Sequence, residues 1–336
     1  MKVYRFDQAG SLDHLTLHDE PTPEPQRGEV LIRVRASSLN YRDIAMVHGT
    51  YLRAQQAGLI PLSDAAGEIA AVGEDVVDFK VGDRVINTFH ARWYGGNPPP
   101  TLGSQSYGSH RDGWLAEYKV VSEEAIVAAP PHLTFEEAAT LPCAALTAWT
   151  SLSGLRPLRP GQTVLTQGSG GVSVFAVQLA RLLGARVIAT TSSPEKAARL
   201  KALGAAEVIN YVETPAWGDR VRELTDGRGV DRVLEVGGAG TLEQSIKAVA
   251  NRGEVALIGF LASSQSNLDF NDLFRSGGVF YRISVGDRSG LQDLVRAVAS
   301  SGLKPVIDSV FPFERALDAW HHFDDRAFFG KVVISH

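Results

Sequence analysis

The chain has 336 residues, 44% of them hydrophobic and 21% charged, which suits a soluble globular protein of about two domains. Its 33 basic and 38 acidic residues leave a formal charge of −5, and no Lys/Arg cluster stands out, which argues against nucleic acid or an anionic membrane as partner. The lone cysteine rules out an intrachain disulfide; no apolar run is long enough to span a membrane and the opening residues lack the apolar core of a secretory signal, so a cytoplasmic protein is expected.

To about residue 120 the chain is rich in β-branched residues, Gly and Pro. EVLIRVRASSLN alternates apolar and charged residues from Val30 to Val34, as a half-buried strand does. GEIAAVGEDVVDFKVGDRVI sets glycines between short apolar runs, and compact antiparallel β structure is expected. Residues 90–113 are rich in Gly, Pro and Ser without periodicity and read as a long loop, of the kind that is usually functional or mobile. Near residue 160 the texture changes. TVLTQ, RVIATT, EVINY, DRVLEVGG and EVALIGF read as strands, and the segments GVSVFAVQLARLLGA, PEKAARLKALGA, WGDRVRELTDG and TLEQSIKAVANRG between them as helices. That alternation predicts βαβ units around a parallel sheet covered on both faces. GLQDLVRAVASSG is one more helix. Then β texture resumes in KPVIDSVFPF and GKVVIS around the short helix ERALDAWHHF, so the tail is expected to rejoin the first domain.

GSGGVS, Gly168 to Ser173, follows a strand and opens a helix. In that context it reads as a phosphate-binding turn. Gly168 allows the tight turn and Gly170 lets backbone approach a pyrophosphate. The N–H groups of Ser169, Gly170, Gly171 and Val172 and the positive end of the helix face the anion. Ser173 takes the third glycine slot. At the end of the next strand, where an NAD site usually carries an acidic residue, the chain has Thr191, Ser192 and Ser193, with Lys196 and Arg199 beyond. Hydroxyls and a lysine suit a 2′-phosphate, so NADP(H) is the expected cofactor. Ser193 followed by Pro194 also reads as a helix cap, and both readings can hold together.

Over nearly its whole length the chain resembles the medium-chain dehydrogenases/reductases. PLSDAAGEIAAVGEDVVDFKVGDRV, LPCAALTAW, GSGGVSVFAVQLARLLGARVIATT and KPVIDSVFPFERALDAW…GKVVI carry the likeness. It implies an α/β protein in which a Rossmann doubly wound parallel sheet is inserted in a GroES-like β-rich catalytic domain. The expected parts are catalytic residues 1–121, an NADP-binding domain over 122–265 extending to about 300, and a return over 301–336. The zinc-binding branch of the family takes ligands from three places, where this sequence has Asn40, Ser63 and Cys143. An amide, a hydroxyl and one thiol do not make a catalytic zinc site, and the 90–113 segment, where relatives carry a structural zinc lobe, has no cysteine. The likeness is therefore to the zinc-free branch, with no metal expected. Cys143 reads as a small core residue beside the cofactor pocket.

Without a metal, catalysis falls to positioning and to neutral hydrogen-bond donors where negative charge develops. That suits activated acceptors, and the implied function is NADPH-dependent hydride transfer to quinones or α,β-unsaturated carbonyl compounds. Two other readings stay open: an NAD(P)-dependent alcohol dehydrogenase acting on small alcohols or aldehydes, and an NADPH-binding protein without turnover. Asn40 resembles the asparagine at this place in quinone reductases and is the candidate donor. Tyr41 and Tyr51 are candidates for a further hydrogen bond or proton, though core packing explains them equally well. Arg42 and Asp43 are expected as a structural ion pair, and Asp64 as an acceptor of backbone amides at a turn. By family likeness, Thr147, Gly237, Gly259, Phe260, Ser284, Val285, Gly286 and Lys331 join the cofactor site, with Tyr211 near the adenine. The likeness also implies a homodimer paired through an edge strand at 278–285, a small-molecule substrate, and neither nucleic acid nor membrane as partner.

Overall fold

The computed structural model describes residues 1–51, 54–259, 261 and 268–336. Two compact units divide it: Met1–Leu146 with Gly286–His336, and Thr147–Val285.

In the first unit β1 (Lys2–Phe6) and β2 (Leu15–Asp19) form an antiparallel pair. In β3 (Glu29–Ser38) Val30, Leu31, Ile32 and Val34 are buried and Arg33 is exposed; Leu31 breaks the expected alternation where the register against β4 shifts. The helix α1 (Tyr41–Val47) follows, then β4 (Asp64–Val72), β5 (Arg84–Asn87), β6 (Tyr118–Ser122) and β7 (Ile126–Ala128). The short α2 (Phe135–Ala138) starts on a capping box of Thr134 and Glu137. A straight continuation would press the ring of Pro142 onto the carbonyl of Ala138. The chain instead widens into a π-helical turn, Leu141–Ala145, before α3 (Leu146–Ser153).

The second unit runs β8 (Thr163–Gln167), α4 (Gly171–Leu182), β9 (Arg186–Thr191), α5 (Pro194–Leu203), β10 (Glu207–Asn210), α6 (Trp217–Glu223), β11 (Val230–Glu235), α7 (Leu242–Ala248), β12 (Val249–Leu257), α8 (Phe270–Ser276) and β13 (Val279–Arg282). All its strand pairs are parallel, in the order β10-β9-β8-β11-β12-β13. This is the doubly wound sheet expected, and its order reverses between β8 and β11, where such sheets bind ligands beyond the strand carboxyl ends. One expectation needs correction. The helix from TLEQSIKAV stops at Ala248, because Val249 takes extended backbone and pairs with Val230 of β11.

The return segment supplies α9 (Arg288–Ser301), β14 (Ile307–Pro312), α10 (Ala316–Asp324) and β15 (Lys331–Ser335). β15 pairs antiparallel with β3, so the tail completes the first unit's sheet, ordered β14-β15-β3-β4-β5-β7 with β6 on β3. Residues 122–146, read from sequence as the start of the nucleotide domain, group with the first unit. There β7 pairs with β5, and the amide of Cys143 bonds Asp64 at 3.0 Å. Among the described residues no helix is long and apolar enough to cross a membrane.

Candidate active site

In the second unit, β8 ends at Gln167 and the chain turns through Gly168, whose φ of +73° is the left-handed region that favours glycine. Its N–H bonds the carbonyl of Thr190 at 2.8 Å. Ser173, in the third glycine slot, donates its hydroxyl to the carbonyl of Gln167 at 2.6 Å and ties the first turn of α4 to the end of β8. Gly170 has φ −75°, which any residue adopts, and a Cβ built on it meets no atom within 4 Å. Packing within the protein therefore does not demand this glycine. Open space at the head of a twelve-residue helix fits the close approach of a pyrophosphate.

The far side of the switch point is held by polar groups that sequence reasoning missed. Glu235, buried at the end of β11, accepts from the amides of Gly237 (2.9 Å) and Gly238 (2.8 Å), the hydroxyls of Thr241 (2.5 Å) and Ser245, and Nε2 of Gln167 (2.8 Å). Gln167 Oε1 takes the amides of Val236 (3.1 Å) and Gly237 (3.2 Å). A Cβ on Gly237 would lie 2.2 Å from Thr241 Oγ1, and one on Gly259 would lie 2.5 Å from the carbonyl of Val236. These two glycines thus have structural reasons of their own. The available signal was a polar residue, Gln167 or Glu235, closing each of two neighbouring strands at the same sheet edge.

At the end of β9, Ser192 is exposed and Lys196 half-buried, while Ser193 caps α5 by accepting the amide of Lys196 at 3.3 Å. Capping thus falls to Ser193 and leaves the Ser192 side chain in solvent. Tyr211 is 41% exposed, with its amide on the carbonyl of Thr191 at 3.0 Å. Thr147 is buried in α3, where its carbonyl accepts the Ser151 hydroxyl at 2.7 Å. Ser284 is half-buried. Val285 holds φ +64°, strained for a β-branched residue, and Gly286 opens the return segment. Phe260 lies outside the described residues.

The first unit brings Asn40, Ser63 and Cys143 together around a buried charge cluster. Lys331, 2% exposed, donates its ammonium to the carbonyl of Leu39 and, at 2.6 Å, to Oδ1 of Asn40. Asn40 Nδ2 points to Ser63 Oγ at 3.4 Å, Ser63 donates to Asp64 Oδ1 at 2.6 Å, and Asp64 Oδ2 accepts the Cys143 amide at 3.0 Å. Asp64 therefore takes an amide from 79 residues away, not one in a local turn as expected. Asp43 accepts the Asn40 amide at 2.9 Å and lies 3.5 Å from Arg42, the expected ion pair. Arg42 donates to the carbonyl of Tyr107 at 2.9 Å and stacks over the Phe89 ring. Burial pushes Asp43 up to about 6 against the pull of Arg42, and pushes Asp64 up as well. Burial lowers Lys331 against the pull of Asp64. The Cys143 thiol is driven up by burial and by Asp64, so it stays protonated at neutral pH. Tyr41 is half-buried against the core around Trp320, with Arg326 over its ring, and Tyr51 is half-buried with its amide on the carbonyl of Ala45.

Residues 26–131 match the model of the alcohol dehydrogenase GroES-like domain, and residues 171–300 that of the zinc-binding dehydrogenase. A zinc-type alcohol dehydrogenase-like protein of Schizosaccharomyces pombe is 40% identical over 98% of this chain and 97% of its own length. A quinone oxidoreductase of Pseudomonas aeruginosa is 33% identical over 89% of this chain and 86% of its own. A mycobacterial protein solved in complex with NADPH superposes over 100% of both chains with a TM-score of 0.82 and 30% identity. The zinc in two of these descriptions does not fit the donor set found here. Asn40 Oδ1 is taken by an ammonium, Ser63 bonds Asp64, and Cys143 is left as the one thiol of the three positions. Among the described residues no three His, Cys, Asp or Glu could hold a metal ion.

Proposed function

The chain belongs to the medium-chain dehydrogenase/reductase family, and from that premise we propose a zinc-independent, NADPH-dependent oxidoreductase that reduces quinones or α,β-unsaturated carbonyl compounds. One observation carries the reading: the slot where zinc-dependent relatives keep a cysteine ligand holds a buried amide, Asn40, bonded to Lys331 at 2.6 Å. A neutral donor suits a substrate that is already activated, whose oxygen gathers charge as hydride arrives elsewhere on the conjugated system. When bound, NADPH supplies the hydride.

Asn40 would donate from Nδ2 to the substrate oxygen, and Tyr41 or Tyr51 would deliver a proton. The turn from Gly168 to Val172 would hold the pyrophosphate, and Ser192 with Lys196 the 2′-phosphate that favours NADPH over NADH. Thr147, Tyr211, Gly237, Gly259, Ser284, Val285, Gly286 and Lys331 complete the proposed site. β13 ends its sheet with Val279 exposed, which supports a homodimer formed by pairing that edge. A single buried cysteine is in keeping with a cytoplasmic protein.

The test follows NADPH consumption with a quinone, an enone and an aldehyde as acceptors, before and after chelation and with added zinc. Turnover of quinone or enone that chelation leaves intact supports the proposal. Turnover of aldehyde alone, lost on chelation and restored by zinc, would replace it with the alcohol dehydrogenase reading.

A further inference from the structure

We propose that Lys331 is a positioning residue of the acceptor site: its ammonium fixes the Asn40 amide so that Nδ2 is the end offered to substrate, and supplies the cationic charge a metal would otherwise bring to this pocket. The inference rests on the functional reading above.

A primary amide can present its oxygen or its nitrogen, and only its partners decide which. An ammonium donates and never accepts. With Lys331 at 2.6 Å, the Asn40 oxygen is held on the lysine side and Nδ2 on the other. There Nδ2 faces the Ser63 hydroxyl at 3.4 Å and the Asp64 carboxylate, which also accepts from the Asn40 side chain. That hydroxyl is itself oriented as a donor to Asp64 at 2.6 Å, so its lone pairs face the amide. Each hydrogen bond in the series from Lys331 through Asn40 and Ser63 to Asp64 runs in one direction. Reversing Asn40 would set its NH₂ against an ammonium.

Charge gives the second, independent reason. Lys331 is faced by Asp64 from β4, Asp43 from α1 and the Cys143 thiol from the π-helical turn. Arg42 is the other buried cation of the cluster. Two carboxylates buried together with a single cation would leave an uncompensated charge. The second cation comes from the last strand. β15 pairs with β3 through Val333 and Ser38, so two residues further along the same register Lys331 stands opposite Asn40.

The test compares K331M, N40A and the double variant in steady-state reduction of a quinone or enone, with NADPH affinity measured separately by fluorescence. If Lys331 acts through Asn40, each single change lowers kcat by about 10²-fold, the usual effect of losing one oriented donor. NADPH affinity of N40A stays within about threefold and the double variant is no slower than N40A, because coupled positions do not add. Since K331M could fail to fold, N40D is the second probe. It keeps an acceptor for Lys331 and the shape of the side chain while removing the Nδ2 donor, and it should lose turnover while NADPH affinity stays within about threefold. Multiplying losses in the double variant, a large fall in NADPH affinity in K331M with kcat unchanged, or an active N40D would each overturn the inference. Wild-type protein that binds NADPH yet reduces no acceptor would overturn the functional reading itself, and this inference with it.

Discussion

Replacing Glu235 by Gln tests whether the sheet's switch point is built on one buried carboxylate. Oε1 accepts from two amides and the Thr241 hydroxyl, and Oε2 from Gln167 and Ser245. A glutamine must keep its oxygen where the two amides point, which sets its NH₂ against Nε2 of Gln167. Gln167 cannot turn over in response, because its own oxygen already accepts from Val236 and Gly237. The Ser245 hydroxyl can rotate to accept. The net change is one lost charge-assisted bond plus one buried donor facing another, about 2–4 kcal/mol. For a unit of this size that corresponds to a fall in melting temperature of roughly 5–15 °C. Differential scanning fluorimetry reads it, with NADPH titration expected to show weaker binding as the loop after β11 loosens. The swap Q167E/E235Q restores donor to acceptor at every position and should recover most of the loss, whereas Q167E alone buries two carboxylates face to face and should be worse than E235Q. An E235Q protein within about 2 °C of wild type, or a swap no better than E235Q, would refute this account of the network.

Asp43 gives a prediction in pH. Its folded-state pKa lies near 6, above the ordinary carboxylate value, through burial against the favourable charges of Arg42 and Lys331 and with the opposing charge of Asp64. The stability this shift contributes is fully present below the unfolded pKa of about 4 and is lost as pH rises through 6. D43N does not titrate there, so its melting temperature relative to wild type should improve from pH 4 to pH 7; a gap that stays flat or closes the other way contradicts the assignment. At Gly170, valine fits the protein's own space but fills the approach to the turn. G170V should keep its melting temperature within about 1 °C and bind NADPH at least tenfold more weakly, and unchanged affinity would place the pyrophosphate elsewhere. S192D puts a carboxylate beside the proposed 2′-phosphate and should cut NADPH affinity by tenfold or more with little effect on NADH, as compared by titration with each nucleotide.

Much of the fold was legible because it is written locally. Most strands and helices of the second unit announce themselves by their own periodicity, α8 excepted, and GSGGVS marks the turn proposed to hold the pyrophosphate. α1 was not legible: from Arg42 to Val47 every residue is buried, so no polar face marks a helix. The pairings that make the site were hidden for a different reason. Lys331 meets Asn40 across 291 residues, and Gln167 meets Glu235 across 68; neither contact exists until sheet register is set, and register is a property of two strands at once. One clue to the first pairing does survive in the sequence. Asp43 and Asp64 lie close in sequence to Asn40 and Ser63, with only Arg42 nearby, and buried carboxylates without enough positive charge are not tolerated. The deficit requires a basic residue from elsewhere in the chain. A lysine amid the apolar residues of a strand, as in GKVVI, is a candidate to supply it, because burying that lysine would be just as costly without those carboxylates.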